Sequence, residues 1–223
     1  MEAFQAALES GADGIEFDVR LSADGVPIVH HNLALQRDGQ PAFISDLTLS
    51  ELESIPLVSD MQAKHYSIST LEAVLATFAS SFALEVHLQS YSPETITAVA
   101  ELLTRYDAHW STIEVTSYEP AILRGIQTAC AGLATDYLFN PEGWMTEAMA
   151  LHVVLEKAAL ARARAVHLIP EAVSSATVER LRENGFDVHS HAEDRATLEK
   201  LRQAGIERVT TSNMLLWQST QGT

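Results

Sequence analysis

Residues 82–117 read FALEVHLQSYSPETITAVAELLTRYDAHWSTIEVTS, and their pattern changes period twice. The opening FALEVHL reads as a strand, with Leu84, Val86 and Leu88 on one face and Glu85 and His87 on the other. Over 93–106 the apolar side chains recur at helical spacing, and 112–117 reads as a strand again. Strand, helix and strand in this order predict two parallel strands joined by a right-handed helical crossover.

The same alternation continues in both directions. Toward the C-terminus the pattern predicts helices over 119–129, 145–161, 175–184 and 195–204, and strands over 133–138, 165–169, 186–190 and 208–211. Gly185 stands where the helix before it needs a left-handed closing residue. Toward the N-terminus a helix over 71–78 is opened by Ser69-Thr70 with Glu72 close behind. Strands over 14–20 and 26–31 are joined by Ser22-Ala23-Asp24-Gly25, whose Asp-Gly pair signals a turn. Strands alternating with helices of about 10–15 residues belong to α/β folds with parallel sheets. Seven or eight strands in 223 residues predict a TIM (β/α)8-type barrel. The absence of a glycine-rich loop after any strand argues against an open nucleotide-binding sheet. The expected organisation is one domain over 1–223, with an insertion at 32–67 that carries a short helix at 49–55 and covers one mouth. The chain enters on a helix at 2–10, so the first β-strand of such a barrel is missing from this sequence.

Composition narrows the function. Lys and Arg number 14 against 30 Asp and Glu, a formal charge of −16, and 47 % of residues are hydrophobic. That field repels nucleic acid and anionic lipid surfaces, so neither is an expected partner. No run approaches the ~20 apolar residues of a membrane span. The first helix also lacks the basic flank of a secretory signal, which makes a cytoplasmic location the expectation. Cys130 is the only cysteine, which excludes an intramolecular disulfide and a zinc site of several thiolates; it reads as small core filler. A phosphate-bearing substrate of so acidic a chain needs a local positive centre, most simply a metal ion.

Several strand residues are chemically capable. Glu16 and Asp18 share one face of their strand about 6.6 Å apart, near the end where barrel enzymes keep their sites. Their mutual repulsion is relieved by a divalent cation with oxygen ligands, Mg²⁺ or Ca²⁺; the competing reading is two solvated acids at an exposed strand end. Glu85 and His87 repeat the arrangement, either as a third metal ligand and a substrate-facing group or as a buried pair tying two strands together. Of His30 and His31 one faces inward, where an imidazole with a near-neutral pKa can protonate a leaving alkoxide. Ser117-Tyr118 closes a strand at the same mouth, and Ser117 lacks the elbow and base of a nucleophile. Arginines 162–164 and 180–182 read as solvated helix faces.

Taken together, FQAALESGADGIEFDVR (4–20), LSADGVPIVHH (21–31), DLTLSEL (46–52) and STLEAVL (69–75) resemble the glycerophosphodiester phosphodiesterase family. That resemblance implies a metal-dependent TIM barrel of lipid and glycerol metabolism, hydrolysing small glycerophosphodiesters to glycerol 3-phosphate and an alcohol. It implies Glu16, Asp18 and Glu85 as ligands of Mg²⁺ or Ca²⁺, and His31 as general acid, since Leu35 and Arg37 then fall at the family's Leu and Arg spacing. Ser117 and Tyr118 stand where the family has a Ser-Phe pair. His87 replaces a Lys, His191-Ala192 lies near the place of a Trp-Thr pair, Asn32 replaces an Asp, and Ser212 replaces the Asp of a terminal Thr-Asp. His87, Ser117, Tyr118 and His191 are thus the expected substrate contacts. The family's opening His-Arg-Gly strand has no counterpart, leaving two unpaired sheet edges. Either the protein starts upstream of Met1 or this is a degraded copy, and the chain as given is expected to turn over weakly or not at all. The rival from another class is a barrel that binds metal or a phosphodiester without cleaving it. A barrel hydrolase of amides or lactones fits less well, because His189-Ser190-His191 lies on the wrong strand. The leaving headgroup, the choice between Mg²⁺ and Ca²⁺ and the oligomeric state are left open by the residues.

Overall fold

A computed structural model of the chain describes residues 1–58, 65–90, 92–213 and 215–216. Its helices are α1 (Glu2–Glu9), α2 (Leu49–Glu53), α3 (Leu71–Phe78), α4 (Pro93–Thr104), α5 (Pro120–Ala129), α6 (Glu147–Ala161), α7 (Ser175–Glu183) and α8 (Arg195–Gln203). Six of these begin where a hydroxyl or carboxylate accepts the free backbone N–H three residues on, from Thr48, Thr70, Ser92, Thr146, Ser174 and Asp194. Each such cap contributes about 1 kcal/mol and fixes where its helix starts. No helix among the described residues is long and apolar enough to cross a membrane.

The strands are β1 (Gly14–Leu21), β2 (Pro27–Val29), β3 (Ala34–Arg37), β4 (Gln40–Phe43), β5 (Leu57–Val58), β6 (His65–Tyr66) and β7 (Ser69–Thr70), followed by β8 (Ala83–Leu88). After these come β9 (Ile113–Ser117), β10 (Ala134–Phe139), β11 (Ala165–Leu168), β12 (Asp187–His191) and β13 (Arg208–Thr210). The main sheet runs β13-β12-β11-β10-β9-β8-β1-β2-β7. From β13 to β1 every pairing is parallel, as the alternating pattern predicts. The 26–31 stretch is not a barrel strand: β2 folds back antiparallel on the end of β1 and pairs in turn with β7.

The sheet is strongly curled. β13 and β8 are separated by four strands in the sheet order, which puts them about 24 Å apart in a flat sheet at ~4.8 Å per strand. Arg208 of β13 nevertheless reaches Glu85 of β8, with Nη2 to Oε2 at 2.7 Å. This is the TIM-barrel-type α/β architecture expected from the sequence, with its wall open between β1 and β13 among the described residues.

The strand alternation sets what lies where. Phe17, Val19, Leu84, Val86, Val115, Val166 and Val188 are buried in the main apolar core, together with Leu71, Val74, Leu103, Leu123, Ile126 and Leu181 from the helices. The alternate positions are charged or polar and are also largely buried, including Glu85, His87, Glu114, Thr116, Asp136 and His189. The insertion packs Leu35, Ile44, Leu52 and Ile55 with Ile28 of β2 and with Ile68 into a second small core, holding the β3–β4 hairpin beside the barrel; its residues 59–64 lie outside those described.

Candidate active site

Two of the expected ligands meet, with a third residue of the expected site beside them. Glu16, Asp18 and His87 each offer a donor atom within 4.8 Å of the other two. The reason is register: Glu16 lies opposite Glu85 and Asp18 opposite His87 in the parallel β1–β8 pair, so alternate side chains of both strands point to one side. His87 Nδ1 is 2.9 Å from Asp18 Oδ1 and 3.6 Å from Glu16 Oε1. Burial opposes a charge on His87, but hydrogen bonds and proximity to Asp18 and Glu16 win and raise its pKa to about 9. Burial likewise opposes ionisation of Asp18, yet His87, His31 and Gln89 hold its carboxyl below the usual range. His87 Nε2 is buried and makes no hydrogen bond.

The second layer around Asp18 was not anticipated. Gln89 Nε2 donates to Asp18 Oδ1, and Arg20 donates both to Gln89 Oε1 and to the carbonyl of His31. The sequence holds the same signal for both, because Arg20 continues the i, i+2 alternation of Glu16 and Asp18 and Gln89 that of Glu85 and His87. His30 donates its backbone N–H to the Asp18 carbonyl at 3.0 Å. Its imidazole is half-buried, and burial, with the Arg20 charge, lowers its pKa. His31 is exposed, with Nδ1 3.1 Å from Asn32 Oδ1.

Glu85 lines the same cavity as Glu16 and His87 but is also engaged from the far side of the curled sheet. Its carboxylate accepts from Arg208, which also donates to Glu114. Arg164 donates to Glu114 as well and lies 3.6 Å from Asp136; it stands just before β11 rather than on a helix face, and its half-exposed side chain closes the ionic layer from the solvent side. Asp136 completes the layer 3.3 Å from His189 Nδ1 and accepts no hydrogen bond at either oxygen. Burial raises the Glu85 pKa against the opposing charge of Arg208, with Glu16 and Asp136 adding to the rise.

A cavity of about 1130 Å³ is lined by Glu16, Glu85, His87, Tyr118, His167 and His191, and runs the length of the strands past Arg208 to Gly14 and Ala83. Tyr118 lies edge-on to His87 with ring centroids 5.6 Å apart. His167 and His191 stack at 5.6 Å, with Nε2 3.3 Å from Nδ1. Burial, with the neighbouring His191 and His189, pulls the His167 pKa down to about 3, so it stays neutral. Ser117 is buried, donating to the Leu88 carbonyl at 3.0 Å and accepting from the Glu119 N–H. Its hydroxyl ties the strand end together, and it lines a second space of about 270 Å³ with Arg20, Gln89 and Tyr118.

Two carboxylates and an imidazole converging from two paired parallel strands fit a divalent cation, which is the chemistry such a donor set serves. The Glycerophosphoryl diester phosphodiesterase family model matches residues 1–216. A glycerophosphodiester phosphodiesterase from Bacillus altitudinis is 37 % identical over 99 residues, 40 % of this chain and 39 % of that protein; the matched part therefore spans well under half of the relative's length. The solved glycerophosphodiester phosphodiesterase from Thermotoga maritima superimposes with a TM-score of 0.76 at 25 % identity, over 98 % of this chain and 90 % of that one. An Oleispira antarctica phosphodiesterase solved with the product sn-glycerol-3-phosphate has a TM-score of 0.80 at 20 % identity, over 98 % and 89 % of the two chains; at that identity the likeness concerns the fold.

Proposed function

The chain belongs to the glycerophosphoryl diester phosphodiesterase family, and from that premise we propose that it hydrolyses small glycerophosphodiesters to glycerol 3-phosphate and an alcohol with a divalent cation. The observation that carries this reading is the convergence of Glu16, Asp18 and His87 within 4.8 Å beside a cavity of about 1130 Å³. A cation bound by Glu16 and Asp18 supplies Lewis-acid polarisation of a phosphoryl oxygen. Everything else falls to this chain's own side chains. Gln89, braced by Arg20, fixes the Asp18 carboxylate. His31 lies close enough to Asp18 to lower its pKa. Its Nδ1 donates to the Asn32 side-chain oxygen, so as general acid His31 acts in its imidazolium form and passes the Nε2 proton to the departing alkoxide. Tyr118, His167 and His191 line the space for the diester, and the neutral His167 holds the His191 ring through its Nε2 without adding charge.

A second reading is favoured by one feature. Among the described residues no strand faces Glu16 across the open wall between β1 and β13, so a barrel that binds the diester without cleaving it is the alternative. Phosphorus NMR of glycerophosphocholine incubated with the protein and Mg²⁺ or Mn²⁺ separates the two. Appearance of the glycerol 3-phosphate resonance, lost on chelation and in Asp18→Asn, supports hydrolysis. Broadening of the substrate resonance with no new signal supports binding alone.

A further inference from the structure

Resting on the phosphodiesterase reading above, we propose that Arg20 is a positioning residue that couples the general acid to the cation site. One guanidinium holds both the backbone that carries His31 and, through Gln89, the carboxylate of Asp18.

The contacts run in two branches. Arg20 follows Asp18 by two residues on β1 and is only 9 % exposed. Its Nε donates to the His31 carbonyl at 3.0 Å, and its Nη2 donates to that same oxygen and to Gln89 Oε1. Gln89 comes directly after β8, where its backbone N–H reaches the Val19 carbonyl at 3.4 Å. Its Nε2 donates to Asp18 Oδ1, the oxygen that also meets His87 Nδ1 at 2.9 Å. These two contacts fall on one oxygen and set the rotation of the carboxylate.

The acid is held through its backbone. The His31 ring is exposed and meets Asn32, so the main chain decides where the ring emerges. That main chain has two anchors one residue apart. His30 donates its N–H to the Asp18 carbonyl at 3.0 Å, and the His31 carbonyl accepts from Arg20. Asp18 and Arg20 therefore position the acid, and the same two residues form the cation branch. Arginine suits this task and lysine does not. A guanidinium presents its donors in a rigid planar fork, so it fixes two acceptors at once, whereas an ammonium is a point charge on a flexible stem. Losing a group that orients a metal-binding carboxylate costs about 10–100-fold in metal affinity or activity. Misplacing a reacting group by about 1 Å costs about 100-fold in rate.

The test compares the full-length wild type with Arg20→Lys, Gln89→Met and the double variant. Calorimetric titration of the chelator-stripped chains with Mn²⁺ reads the cation branch. Each single variant should bind Mn²⁺ about tenfold more weakly, and the double no more weakly than either, because Arg20 reaches Asp18 through Gln89. Turnover at saturating Mn²⁺ reads the acid branch. Arg20→Lys should lower kcat on glycerophosphocholine about 10–100-fold, with KM within about threefold. It should lower kcat far less on the nitrophenyl ester of glycerol 3-phosphate, whose leaving group departs without a proton. Gln89→Met should leave the ratio of the two rates within about twofold of wild type. Equal losses on both substrates with unchanged Mn²⁺ affinity mark a merely structural arginine and overturn the proposal, as do affinity losses that multiply in the double variant. If Arg20→Lys does not fold, Gln89→Met decides: weaker Mn²⁺ binding with an unchanged rate ratio supports the brace, and unchanged binding overturns it. A wild type that binds Mn²⁺ yet releases no glycerol 3-phosphate ends the phosphodiesterase reading, and the Mn²⁺ affinities then judge the brace alone. A wild type that takes up no Mn²⁺ overturns both.

Discussion

Replacing Arg208 tests how the barrel interior tolerates its own charge. Arg208 is the cation shared by Glu85 and Glu114, both 5 % exposed, and it approaches the fully buried Asp136. Arg208→Met keeps an apolar stem in place of the aliphatic part of arginine while removing the charge, leaving Arg164 in contact with Glu114 and Asp136 and Glu85 without its arginine. Breaking one side of a buried ion pair costs about 3–5 kcal/mol. The Arg208 side chain is 39 % exposed, so solvent screens part of its field and the low end, about 3 kcal/mol, applies. At about 2–4 °C per kcal/mol for a chain of this size, the melting temperature falls by about 6–12 °C. The pH dependence has a definite sign. Glu85 already has a raised pKa, from burial first and then from Glu16 and Asp136, while Arg208 opposes the rise; removing Arg208 raises it further. A group with a raised folded pKa destabilises as pH climbs through that pKa, and the loss vanishes below its ordinary value of ~4.3. The deficit of the variant is therefore largest near neutral pH and shrinks as pH falls toward ~4.5. Thermal melts followed by circular dichroism at both pH values measure it. A drop below about 2 °C, or one of equal size at both pH values, refutes the reasoning.

His31→Ala should lower kcat by about 10²–10⁴-fold on glycerophosphocholine, whose alkoxide must be protonated as it leaves. It should change the rate far less on a nitrophenyl phosphodiester, and His30→Ala serves as the control; equal losses on both substrates remove the general-acid role. Gly14→Ala should destabilise by about 1–3 kcal/mol, read from urea unfolding. The added Cβ meets the Ala83 carbonyl oxygen at 2.6 Å and its Cβ at 2.8 Å, where β1 and β8 lie in register. In the metal-free chain the His87 imidazole should titrate near pH 9 by NMR and move toward its ordinary value in Asp18→Asn, because Asp18 is its nearer carboxylate. As a raised group it stabilises below the ordinary histidine pKa of ~6.5, an effect lost as pH rises through about 9.

The parallel order of β8 to β13 was legible because each crossover carries two independent periods, and the helix starts were legible because Thr, Ser and Asp caps are local in sequence. The 26–31 stretch shows the limit of that reading. Its Asp-Gly turn folds β2 back on β1 as a hairpin, and periodicity of period two does not distinguish a hairpin from a barrel strand. Glu16, Asp18 and His87 were identifiable as inward-facing by alternation alone, and their meeting followed from β1 pairing with β8. The fate of Glu85 was not legible. Its partner Arg208 lies 123 positions away, and only the curl of the sheet brings the two together. The same holds for Arg164, which sits beside a helix in sequence but points across β9 and β10 in space. Buried polar layers of this kind are decided by which strands face each other, information that local pattern does not contain.

Under the proposed function, a cation between β1 and β8 drives phosphodiester cleavage. It is tested most directly by stripping the chain of metal and restoring one ion in measured sub-stoichiometric steps, while following glycerol 3-phosphate release from glycerophosphocholine. Cleavage is expected to vanish on stripping, to return in proportion to bound ion up to one equivalent per chain, and to stay absent in Asp18→Asn. Cleavage that persists undiminished in the stripped chain, or survives in Asp18→Asn, contradicts the account.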